Sequence, residues 1–128
     1  MEIFKLCKKL HELMPDWRTS GSHVIKFKGD ESRVYHDNVH RTGYDWAPEY
    51  TLEYLLNKLP KTIDGDSDCG ILTLTIDEVE YEGSWTWGWR AFYETCNGCS
   101  ADDLFCEAVT PLHAVLKLAI AMAEKGLV

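Results

Sequence analysis

The densest group of metal-type donors in the chain is Cys96-Asn97-Gly98-Cys99, a C-x-x-C whose Asn-Gly favours the tight turn that lets two thiolates face one ion. Zinc is the ion such a pair would take, and it needs two further ligands. Cys106 and His113 follow at seven-residue intervals, and Cys69 lies upstream. No second compact pair follows in zinc-finger order. His113 falls where a helix begins, an ordinary place for a surface histidine. The commoner state of such thiols is free, with Cys106 packed as a small apolar residue. The expectation is therefore no resident cofactor, and the alternative is zinc held by Cys96, Cys99, Cys106 and His113. Redox use of the pair is disfavoured, because a redox C-x-x-C opens a helix and this one ends a strand.

The run Asp64-Gly65-Asp66-Ser67-Asp68 imitates the start of a calcium loop. The imitation fails where Cys69 replaces the required glycine and Thr75 the closing glutamate. A solvated turn is the plainer reading. Nucleophilic catalysis needs a thiol or hydroxyl with a base and an orienting acid. The histidines are scattered, with no nucleophile elbow and no phosphate-cradling glycine loop. We expect no enzyme.

Trp85, Trp87 and Trp89 alternate, so all three point to one face of a strand, joined by Ala91 and Tyr93. Beneath helices that face would be core. Left open, it would be an aromatic platform for a sugar ring, a base or a protein. Core is the expectation for most of it, with Trp85 partly exposed beside the turn.

Charge is distributed unevenly. Residues 1–60 carry nine Lys/Arg and nine Asp/Glu, whereas residues 61–128 carry four against twelve, the whole of the net charge of −8. Between Asp64 and Glu107 the one cation is Arg90. A field of that sign repels phosphates and attracts basic protein surfaces, which disfavours direct nucleic-acid binding by this half. Its plainer role is to keep a small protein soluble. The candidate partner-binding residues are Asp64, Asp66, Asp68, Glu78, Glu80, Glu82, Asp102 and Asp103, with Tyr81 and Trp85 as aromatic contacts.

Three helices and about five strands must position these groups. Ile3, Leu6, Cys7, Leu10, Leu13 and Met14 form one helical stripe ended by Pro15. A second helix is expected from near Pro48 to Pro60 on Leu52, Leu55, Leu56 and Leu59. In the third, Thr110 caps, Pro111 opens and Gly126 closes a helix apolar around much of its circumference. Val24–Lys28 and Ser32–His36 read as one strand pair. Ile71–Tyr81 and Trp85–Thr95 read as a hairpin turning at Gly83-Ser84, and Leu104–Val109 as a last strand. The order α-β-β-α-β-β-β-α predicts an α+β fold, an antiparallel sheet of about five strands in sandwich-like layers with helices. At 128 residues, 45% hydrophobic and 27% charged, one globular domain over 1–128 is expected.

No apolar run is long enough to span a membrane. Lys5, Lys8, Lys9 and Glu12 interrupt any export signal, so a cytoplasmic location and no membrane partner are expected. Five cysteines, an odd number, argue against a disulfide framework.

The segments YTLEYLLNKLP, WGWRAFYE and EAVTPLHAVLKLAIAM together resemble the phage α-β-α sandwich family of small phage and prophage proteins, over about residues 46–128. The resemblance implies a three-layer fold and a phage or prophage origin, and no catalytic residues. With the acidic second half, it suggests a non-enzymatic accessory protein that binds a host protein with a basic surface, such as a defence nuclease or another nucleic-acid-binding factor. A zinc-stabilised structural or regulatory module, and a small-ligand binder using the aromatic face, are the alternatives.

Overall fold

The computed structural model describes residues 2–17, 23–27, 34–37, 44–64, 69–94 and 100–128. In chain order the elements are α1 (Glu2–Leu13), β1 (His23–Phe27), β2 (Val34–Asp37), β3 (Tyr44–Pro48), α2 (Leu52–Lys58), β4 (Thr62–Asp64), β5 (Cys69–Tyr81), β6 (Ser84–Glu94), β7 (Ser100–Ala108) and α3 (Pro111–Glu124). The fold is α+β, with three helices and antiparallel sheets among the described residues.

The helices begin and end where local chemistry dictates. Thr51 Oγ1 accepts from Tyr54 N–H at 3.1 Å and caps α2. Thr110 Oγ1 accepts from His113 N–H at 3.2 Å and caps α3, with Pro111 as its first residue. At the far end of α3, Leu127 N–H bonds Met122 C=O and Gly126 N–H bonds Ala123 C=O. That pattern needs the left-handed backbone Gly126 supplies at φ +72°.

Two strands were not anticipated, and the expected sheet of about five is two sheets of three and four, ordered β2-β1-β3 and β4-β5-β6-β7. β3 ends in Pro48, which was expected to open α2. Pro48 instead lies opposite His23 on an edge strand, where a missing N–H is tolerated. α2 starts only after Thr51. β4 is too short for alternation to be read from it. β7 begins at Ser100, earlier than Leu104.

Helix α3 is the middle of the molecule. One side lies on β6 and β7, and the other packs against α1 and α2. α1 in turn packs on β1 and β3. Ala114, Val115, Leu116, Leu118, Ala119 and Met122 are all fully buried, because α3 is covered on most sides, as its apolar circumference predicts. Tyr93 and Tyr50 are the largest fully buried side chains among the described residues, and each places its hydroxyl on a backbone carbonyl, of Pro60 at 2.7 Å and Trp17 at 3.4 Å.

Candidate binding surface on the β5–β6 hairpin

β4 reaches along β5 only to Ile71, and β7 runs along β6 only to Trp89. Past those points β5 and β6 continue as a two-stranded ribbon, turning through Glu82 and Gly83, one residue earlier than the Gly83-Ser84 expected. Both turn residues have positive φ, at +50° and +79°, as a two-residue hairpin loop of right-handed twist demands.

The buried face of the ribbon changes along its length. Near the base Ala91 and Tyr93 are fully buried beside α3. Nearer the tip Gly88, on the opposite face of β6, is buried, and across the ribbon Val79 is fully buried above it. Two-stranded ribbons twist more than wide sheets, so one face cannot stay against a helix over the whole length of this hairpin. The face that carries Ala91 and Tyr93 inward turns outward at the tip. Trp85 and Trp87 are therefore 70% and 69% exposed, while Trp89, at the crossover, is half-buried. Core was expected for most of this face, and Trp87 corrects that expectation. Alternation alone gives each side chain's parity but not the twist that decides which parity is covered.

Register completes the surface. Trp87 lies directly opposite Glu78 and Trp85 opposite Glu80, so two indoles and two carboxylates share one exposed face. Glu82 is exposed at the turn, and Tyr81 is half-exposed beside it. None of Glu78, Glu80 and Glu82 forms an ion pair among the described residues. The cation of this segment is spent elsewhere: Arg90 bonds Asp77 Oδ2 at 2.6 Å and Glu107 Oε2 at 3.4 Å, and its guanidinium lies 5.5 Å from the Phe105 ring centroid. The tip is left anionic and aromatic.

The other predicted acidic residues do not join this group. Asp64 pairs with Cys69, at the end of β5 farthest from the turn. Asp102 and Asp103 belong to the part of β7 between Ser100, opposite Glu94, and Phe105, opposite Phe92, again away from the tip. Asp66 and Asp68 lie outside the described residues.

Cys96 and Cys99 also lie outside the described residues. Cys106 is half-buried, and burial raises its thiol pKa against the opposing effect of Lys117. The His113 imidazole meets Thr110 Oγ1 through Nδ1. Among the described residues no three His, Cys, Asp or Glu side chains gather as a metal site. No helix among the described residues is long and apolar enough to cross a membrane.

A pocket of about 400 Å³ opens where the hairpin meets the start of α3, lined by Ile3, Glu80, Tyr81, Val109, His113 and Lys117 among others. Glu80 belongs both to this pocket and to the exposed face. Ile76, 60% exposed, extends the apolar surface toward the base. Trp87 was read from sequence as part of the alternating aromatic face but not as a partner contact, and Ile76 was given no binding role.

No family model, curated protein or solved structure matches this chain. The functional reading therefore rests on the geometry and chemistry of the hairpin.

Proposed function

We propose that the protein is a non-enzymatic binding protein whose β5–β6 tip engages a protein with a basic surface. The observation that carries this reading is the pairing of Trp87 with Glu78 and Trp85 with Glu80 on one exposed face. Exposed indoles side by side are costly in water and are the residues that dominate interface energetics when desolvated. Unpaired carboxylates around them accelerate encounter with a cationic partner and select against acidic ones. In the phage or prophage setting that the sequence resemblance implies, the partner is a host protein, such as a nuclease, whose basic surface otherwise holds phosphate backbone.

The test uses immobilised full-length protein and candidate basic host nucleases. Capture should weaken sharply between about 0.05 and 0.5 M salt, where screening shortens from over 10 Å to a few ångströms. It should also be displaced by duplex DNA and fail with Glu78→Gln/Glu80→Gln/Glu82→Gln. Capture indifferent to both salt and the triple substitution would defeat the proposal.

A second reading has one observation in its favour. Two open indoles on one strand face also suit stacking on sugar rings, with Glu78 and Glu80 as hydrogen-bond acceptors. Titration with oligosaccharides, read by tryptophan fluorescence, separates the two: a saturable shift lost in Trp87→Ala would favour the sugar.

A further inference from the structure

Hydrogen bonding along β5 has a parity that exposes part of its backbone. Leu72 N–H bonds Lys61 C=O at 2.9 Å, away from β6, so the even-numbered residues of β5 direct their N–H and C=O outward. β4 occupies this edge only as far as Ile71. Farther along, Glu78 is closed off on both groups. Its N–H bonds Asp77 Oδ1 at 2.7 Å, and its C=O accepts from Arg90 Nη2 at 3.2 Å. The other outer edge of the sheet has a similar plug, with Lys117 Nζ donating to Glu107 C=O at 3.1 Å. Between Leu72 and Glu78 the outward groups of Leu74 and Ile76 have no partner among the described residues.

We infer that this gap in the β5 edge receives an extended cationic segment of the partner, which adds to the sheet as a strand beside Leu74 and Ile76. The inference rests on the proposed function and specifies how the partner is held. Main-chain bonds to Leu74 and Ile76 supply register, and alternate side chains of the added strand meet the exposed Ile76 on one face and Thr75 on the other. Charge decides the occupant. Glu78 and Glu80 stand beyond the gap, unpaired and exposed, so a strand with Lys or Arg at alternate positions is attracted. A second copy of this chain pairing β5 antiparallel to β5 across Leu74 and Ile76 would set Glu78 of each copy against Leu72 of the other, where Lys61 already holds the edge and the backbone groups of Glu78 are closed off.

The experiment titrates the isotope-labelled full chain with a capped peptide of alternating Lys and Val, about eight residues long to match an ordinary strand. Amide exchange of Leu74 and Ile76 should slow in the complex. Ile76→Pro removes an outward N–H without touching the β6 ladder and should weaken the peptide about tenfold or more, the value of one to two backbone bonds. A peptide with Pro at its alternate positions should bind no better, which keeps the test decisive if the Ile76 variant unfolds. Binding that perturbs Trp85 and Trp87 while Leu74 and Ile76 exchange unchanged would overturn edge pairing and leave the tip reading standing. Absence of peptide binding, with a basic nuclease still captured, would do the same. Slow exchange at Leu74 and Ile76 without peptide, with a solution mass of two chains, would give the edge to a second copy and also overturn the inference.

Discussion

Val79 closes over Gly88: a β-carbon built on Gly88 would lie 2.3 Å from Val79 Cγ2 and 2.7 Å from the Ala108 carbonyl oxygen. Both distances are shorter than carbon tolerates, and one neighbour is backbone. Gly88→Ala should therefore destabilise the protein by about 2–3 kcal/mol, in the range of overpacked cores. Denaturant unfolding measures the loss. Adding Val79→Ala should recover part of it, because the nearer clash is with a side chain. A double variant no better than the sum of its parts would show that strain at the Ala108 carbonyl dominates.

Arg90 holds Asp77 and Glu107 together across three strands. All three side chains are partly exposed, so solvent screens the pairs. Arg90→Met should cost about 1 kcal/mol at low salt and less at high salt. Unfolding midpoints at two ionic strengths check this.

Burial raises the Cys7 thiol from its ordinary 9.0 to about 11 and the Tyr93 phenol from 10.0 to about 12, and it pushes Tyr50 up as well. These groups stay protonated in the folded chain after they would ionise in the unfolded one. Their contribution is intact below pH 9 and is lost as pH rises through the folded values. Stability should be level to about pH 9, then fall by roughly 1.4 kcal/mol per pH unit for each group so protected. Unfolding curves between pH 7 and pH 12 test the slope, and Tyr93→Phe should flatten its upper part.

Glu82 occupies a left-handed position at φ +50°, which Asn adopts with less strain. Glu82→Asn should raise stability by about 0.5–1 kcal/mol. A higher thermal midpoint with weaker capture of basic proteins would separate the turn's conformational demand from the charge placed there.

Trp85 and Trp87 are predicted to contribute little to folding. Alanine at either should leave stability within about 0.5 kcal/mol, as exposed positions do. Acrylamide quenching should fall in both variants, since the most accessible indoles are gone.

Much of the helical architecture was legible from residues alone. Thr110, Pro111 and Gly126 bound α3 because capping is local chemistry, and its apolar circumference announced a helix surrounded on most sides. The β5–β6 pairing was legible for the same reason. The rest depended on distant contacts. β3 was hidden because Pro48 suits both a helix start and an edge strand, and its pairing with His23 decides between them. At the tip, Trp85 beside Glu80 follows from register, but exposure of Trp87 follows from cumulative twist, which no short window of sequence contains. The acidic residues looked like one group in the chain. Strand pairing puts Asp64 at one end of β5 and Glu80 at the other.

The position of α3 also orders the life of a nascent chain. Elements α1, α2, β6 and β7 all bury apolar surface against α3, yet Pro111–Glu124 follow every one of them in the chain. At translation speeds of roughly 5–20 residues per second, those surfaces wait in the open until the helix clears the ribosome. A ribosome stalled before Thr110 would hold not a smaller version of the protein but a sticky intermediate, a natural client for chaperones and proteases.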